Sequence, residues 1–148
     1  MPTPDDPLIF RRASREPSRP ELRAFARELT SVVAGGRPFC CLLTDDRELR
    51  RLNREFLGKD YPTDVLSFPE PGPDGFLGEM AISVERARVQ ARSFRHRLDD
   101  EVRILMLHGL LHLLGMDHQK DRGRMARAET RWRKLLGLPA GIIERGRA

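Results

Sequence analysis

Apolar residues at Leu22, Phe25, Ala26, Leu29, Val32 and Val33 recur three or four positions apart. That spacing predicts a helix from about Glu21, entered through Ser18 and Pro20 and ended by Gly35-Gly36. Phe39 to Leu43 is an unbroken apolar run between Pro38 and Thr44, and its length predicts a buried strand. Leu8, Ile9 and Phe10 predict a shorter strand within Pro7 to Ala13. Thr44 or Asp45 can cap a second helix, with Leu49, Leu52 and Phe56 on one face. After a loop, Gly58 to Pro62, two runs (Val65 to Phe68 and Phe76 to Ser83) flank the turn-forming Pro71-Gly72-Pro73-Asp74-Gly75. They predict a β-hairpin with a longer loop. In the second run, Met80 and Ile82 share one face, and Glu79 shares the other with Ala81 and Ser83.

Val84 to Phe94 reads as a helix with an arginine-rich solvent face. Asp99 or Asp100 can cap a central helix to about Leu114, apolar nearly all round and therefore buried on several sides. A last helix, Arg122 to Leu136, places Met125, Ala128, Trp132, Leu135 and Leu136 at helical spacing, and Gly137 and Pro139 stop it. The tail beyond predicts nothing regular. The expected fold is α+β: one domain over residues 1–148, a small mixed β-sheet packed with about five helices.

Length and composition agree. The chain has 148 residues, 39% hydrophobic and 33% charged, which suits one well-formed core under a charged surface. No apolar stretch is long enough to span a membrane, and Met1 to Asp6 has acids and prolines where a signal peptide would be basic and then apolar. The expected compartment is the cytoplasm. Cys40 and Cys41 are adjacent, ill-placed to bridge one another, and read as buried reduced thiols. Net charge is +5, and 24 of the 27 basic residues are arginine, a side chain suited to bidentate phosphate contacts.

Three of the four histidines lie in His108-Gly109-Leu110-Leu111-His112-Leu113-Leu114-Gly115-Met116-Asp117-His118. His108 and His112 are four apart, so on a helix their rings share one face. Gly115 can break that helix and return His118 as a third ligand. Three neutral imidazoles suit one zinc ion and leave a fourth position open, the mark of a catalytic rather than a structural site. Zinc so held lowers the pKa of a bound water to roughly 7. The same offsets occur in metzincin peptidases, where a glutamate serving as general base follows the first histidine. Here that position is Gly109, which argues against simple proteolysis.

The eleven-residue stretch resembles the signature of the YbeY endoribonucleases. Further matching blocks are Gly58-Lys59-Asp60-Tyr61-Pro62-Thr63-Asp64-Val65-Leu66-Ser67-Phe68-Pro69, Leu77 to Ser83, and Met125 to Glu129. The resemblance covers roughly residues 45 to 135. It implies a single-strand-specific endoribonuclease with one zinc on His108, His112 and His118, acting in the cytoplasm. It also implies work on small-subunit ribosomal RNA precursors and in ribosome quality control, with the ribosome or its proteins as partners and no membrane. Many family members carry an arginine directly before the Gly-Lys-Asp block, where this chain has Leu57, so no RNA-binding arginine is carried over there. Candidate RNA contacts are Arg54, Lys59, Arg86 and the helix after Arg122. Candidate catalytic groups are Glu79, as a proton acceptor, and Asp117, orienting His118. The aromatic residues are scattered and predict no stacking platform. The alternatives are a zinc peptidase or other hydrolase, or a non-catalytic ribosome-assembly factor with a structural zinc.

Overall fold

The computed structural model describes residues 6–11, 17–59 and 63–146. Four strands form one mixed sheet: β1 (Leu8–Phe10), β2 (Cys40–Thr44), β3 (Val65–Pro69) and β4 (Gly78–Ser83). Their order is β1-β2-β4-β3, with β1, β2 and β4 parallel and β3 antiparallel to β4. The expected hairpin is therefore the β3–β4 pair, with β4 starting at Gly78 rather than Phe76. The period of two sorts the faces. Cys41, Leu43, Met80 and Ile82 join the main core, whereas Leu66 and Ala81 join a smaller cluster with Leu49. Arg12 and Ala13 of the first predicted strand, and Asp60 to Pro62 of the predicted loop, lie outside the described residues.

Six α-helices surround the sheet among the described residues: α1 (Arg19–Glu28), α2 (Asp46–Leu57), α3 (Val84–Ser93), α4 (Leu98–Leu113), α5 (Arg124–Leu135) and α6 (Ile142–Gly146). The first predicted helix is one element in sequence but two in geometry. After Glu28 it widens into a π turn, Leu29–Val33, in which the Ala34 N–H reaches back to the Leu29 carbonyl. Asp45 caps α2 by accepting from the Glu48 N–H at 2.9 Å. Phe56, placed on one face of α2 with Leu49 and Leu52, is 65% exposed. Asn53, four residues after Leu49, takes the buried position instead. Cys40 and Cys41 are buried free thiols, and burial, followed by the charge of Glu79, pushes Cys40 up to about 11.

Helix α4 is the central post. Ile104, Leu105, Met106, Leu107, Leu110 and Leu111 are all at most 2% exposed, so both of its flanks are covered. Its N-terminus departs from expectation. Arg97, not an aspartate, holds the capping position. Asp99 instead accepts from the Ser18 N–H at 3.3 Å, tying the start of α1 to α4. Leu135, one of the apolar positions at helical spacing, is 67% exposed, and the apolar face of α5 turns inward through Met125 and Ala126. The tail is ordered as α6: Arg145 makes a bidentate pair with the fully buried Glu101 at 2.7 and 2.9 Å, and Ile143 joins the core. Five residues are too few to display a helical period, which is why patterning missed α6. None of the described helices is long and apolar enough to cross a membrane.

Gly109 lies where α4 crosses the hairpin. A Cβ there would come within 2.9 Å of Met80 Sδ, 3.2 Å of Val65 Cγ2 and 3.3 Å of Ser67 Oγ. The backbone contact it permits is used: the Ser67 hydroxyl donates to the Gly109 carbonyl at 3.0 Å. Gly109→Ala is expected to lower stability by about 1–3 kcal/mol through overpacking. Denaturant titration checks this, and an unchanged midpoint would mean the helix can lift off the hairpin at no cost.

Candidate metal centre

The site begins with the end of α4. Gly115, at φ 92°, lets the chain reverse after Leu114. The Gly115 N–H bonds the His112 carbonyl at 2.9 Å and the Met116 N–H bonds the Leu111 carbonyl at 3.1 Å, the two bonds of a Schellman cap. The following turn is fixed by Asp117, whose side chain accepts from the Gln119 N–H at 3.0 Å. Cap and turn together bring His118 back over the helix. Its ring centroid stands 5.9 Å from that of His108 and 6.0 Å from that of His112, which are themselves 4.9 Å apart.

One ring nitrogen from each of the three lies within 4.8 Å of the others. Metal–nitrogen bonds of about 2.0–2.1 Å need only a small closing of these side chains to meet at one ion. Two of the remaining ring nitrogens are already engaged. His108 Nδ1 donates to Glu129 Oε2 at 2.7 Å, and His112 Nδ1 donates to the Met116 carbonyl at 3.0 Å. Each bond selects the tautomer that leaves Nε2 with a free lone pair, the form a metal requires. Burial, and then the proximity of His108, holds His112 below the usual imidazole pKa, which also favours the neutral ring.

Glu129 is the residue that pattern reading missed. It is 1% exposed, yet the side chain it bonds is an imidazole rather than a guanidinium or ammonium. Its other oxygen accepts from the Ile143 N–H at 2.8 Å. A buried carboxylate so placed is stabilised by positive charge behind the imidazole, and a cation on His108 Nε2 supplies it. The donor set therefore fits a metal. A signal for Glu129 was present: it follows Met125 by four residues and Ala126 by three, an acid on the apolar face of its helix.

The other predicted site residues divide. Asp117 adjoins the centre but spends its carboxylate on the turn at Gln119. Glu79 lies on the sheet face opposite Met80, which packs against α4, and lines a groove with Leu42, Phe56 and Phe68. A proton acceptor at the histidines is thus not brought there by Glu79. Arg86 is tied to Asp46 at 3.3 Å. Arg54 and Lys59 are exposed on α2 and just after it, and Leu57, 46% exposed, ends that helix without a cation.

Glu129→Gln is expected to weaken metal binding roughly ten- to a hundredfold, since the amide fixes the ring less firmly and carries no charge. Competition with a chelating dye measures this, and an affinity equal to wild type would remove Glu129 from the centre.

The comparisons with known proteins agree with this geometry. Residues 22–137 match the family model described as Endoribonuclease YbeY. The chain is 60% identical over 138 residues to the endoribonuclease YbeY of Solibacter usitatus, covering 93% of this chain and 92% of that one. It is 41% identical over 119 residues to the same-named protein of Helicobacter pylori, covering 80% and 85%. Its fold is similar to the solution structure of a Thermotoga maritima protein, with a TM-score of 0.57 and 26% identity over 84% of this chain and 86% of that one.

Proposed function

The chain belongs to the YbeY endoribonuclease family, and from that premise we propose that it is a zinc-dependent endoribonuclease cleaving single-stranded RNA. Its proposed setting is the cytoplasm, in maturation of small-subunit ribosomal RNA and in ribosome quality control, with ribosomal components as partners. The observation that carries the reading is the convergence of His108, His112 and His118 with two of their Nδ1 atoms already committed.

Zinc on these three residues supplies Lewis acidity toward a phosphoryl oxygen and acidifies water. The chain's own contribution is orientation and access. Glu129 and the Met116 carbonyl fix the planes of His108 and His112. Exposure rises along the set: His108 is buried, His112 half-buried and His118 exposed. The side facing an incoming RNA backbone is therefore the His118 side. Arg54 and Lys59 are the cations we assign to RNA binding, while Arg86 is already occupied by Asp46.

Proteolysis is disfavoured by a specific contact. A peptidase of this spacing needs a glutamate at position 109, where even a Cβ would come within 2.9 Å of Met80 Sδ and 3.2 Å of Val65 Cγ2 and force the hairpin side chains to shift. A non-catalytic factor with a structural zinc would need a fourth protein ligand to close the site. Among the described residues, the metal-binding group comprises the three histidines alone.

His112→Ala is expected to reduce cleavage of a single-stranded RNA to background and to lower bound zinc well below the roughly one ion per chain of a three-histidine site. Elemental analysis and a cleavage assay on rigorously purified protein measure both. Cleavage that persists unchanged in the variant would assign the activity to a contaminant and end this reading.

A further inference from the structure

The Glu129 carboxylate that holds His108 is itself held, by a segment that returns from the end of α5. That helix stops in a Schellman cap: the Gly137 N–H bonds the Lys134 carbonyl at 3.3 Å and the Leu138 N–H bonds the Arg133 carbonyl at 2.8 Å. Leu138 enters the core, and after Pro139 and Ala140 the chain packs back on α5 as α6. At Gly141 it meets Glu129. A Cβ at that position would overlap Glu129 Oε1 and stand 2.6 Å from its Cδ, so glycine is what lets the backbone lie against the carboxylate. Two residues on, the Ile143 N–H donates to the same oxygen at 2.8 Å. Oε1 is thereby engaged, and Oε2 is left for His108 Nδ1 at 2.7 Å. Gly141, Ile143 and His108 together confine a carboxylate that is 1% exposed.

Side-chain contacts keep α6 in place. A helix of five residues does not stand alone in water. Arg145 makes its bidentate pair with Glu101, and its guanidinium lies 4.2 Å from the centroid of the Phe94 ring. Glu144 accepts from Arg133 through two bonds of 2.9 Å and from the Gly141 N–H at 3.3 Å. Glu101 and His108 are two turns apart on α4 and share one of its faces. Helix α6 therefore bridges the helix that carries the first histidine and the helix that carries its carboxylate. An element held by a few contacts near a chain end opens at a lower free-energy cost than the core. What depends on its docking can therefore change while the rest of the fold stays intact.

We propose that docking of α6 and metal binding at the histidines are coupled, with Gly141 as the positioning residue that transmits the coupling through Glu129 to His108. The inference rests on the metal-centre reading above. With α6 docked, the Ile143 N–H and the backbone at Gly141 hold Glu129 where Oε2 meets His108 Nδ1, and Nε2 is kept free for the metal. With α6 away, Oε1 loses its donor and the carboxylate its confinement, so the ring is fixed less firmly. The coupling is reciprocal: a metal on His108 strengthens the docking of α6 by the factor by which docking strengthens metal affinity.

The test uses the full chain and zinc alone. Gly141→Ala forces the carboxylate or α6 to move, and Glu144→Ala loosens α6 without touching Glu129 or a histidine. Each is expected to weaken zinc binding about three- to tenfold in competition with a chelating dye, less than the loss of Glu129 itself. Hydrogen exchange at the Ile143 amide gives a second readout: zinc should slow it in the wild type by about the factor by which Gly141→Ala weakens affinity. Leu49→Ala, in the separate cluster on the other face of the sheet, controls for lost stability. It should lower the melting temperature of the metal-free chain and leave zinc affinity unchanged. If the Gly141 and Glu144 variants follow that same pattern, α6 serves stability alone and the coupling is overturned. Equal exchange at Ile143 with and without zinc overturns it as well. Glu144 is 23% exposed, so Glu144→Ala decides the matter even where Gly141→Ala is too unstable to purify. A wild-type chain that binds no zinc ends the metal-centre reading and this inference together, whereas normal binding that neither variant weakens ends the coupling only.

Discussion

The hydrogen bond from His108 to Glu129 joins three parts of the fold that are distant in sequence. His108 belongs to α4, the buried post, Glu129 to α5, and the second oxygen of Glu129 takes the Ile143 N–H at the start of α6. Each group is costly to bury alone. An imidazole nitrogen without a partner in an apolar helix carries a desolvation penalty, and an uncompensated carboxylate a larger one. Together they resolve each other's polarity and leave one imidazole nitrogen directed at the centre. The C-terminal helix is thereby part of the metal site's support, held in turn by the Arg145–Glu101 and Arg133–Glu144 pairs. Glu144 is drawn below the usual carboxylate range chiefly by its bond to Arg133.

The same reasoning explains why a peptidase-like spacing serves other chemistry. Two histidines one turn apart and a third returned by a glycine cap specify an ion-binding corner, and nothing in that corner specifies a substrate. The substrate is set by what surrounds it. At Gly109 the hairpin packs on the helix so closely that any side chain there would have to displace Met80, Val65 and Ser67, which disfavours an acid beside the first histidine. The charge that a peptidase would place there appears one helix away, at Glu129, behind a ligand ring rather than beside an open coordination position. A carboxylate in that location orients a ligand and tunes its basicity, and it is shielded from substrate.

Much of this was legible in the chain. The three histidines, the glycine break, the hairpin and all five predicted helices follow from local rules of period, capping and turn chemistry, and the structure repeats them with shifts of a few residues. What escaped was non-local. Glu129 could be read as an acid on an apolar face, but not that it meets His108, twenty-one residues earlier. Glu79 was placed correctly on the face of its strand, yet which face meets α4 depends on the sheet order, and that turned it away from the histidines. Phe56 and Phe68 are unremarkable in sequence and form a pair only because α2 crosses the hairpin. Helix α6 carries no period long enough to detect, and its order comes from ion pairs to elements read separately.

Whether the three-histidine centre is open to substrate can be read from zinc-edge X-ray absorption of the zinc-loaded full chain. Three imidazole nitrogens at about 2.0–2.1 Å are expected, with a remaining ligand that does not come from the chain. A fourth protein ligand would contradict it, as would a sulfur shell at about 2.3 Å from Cys40 or Cys41, and either would make the zinc structural.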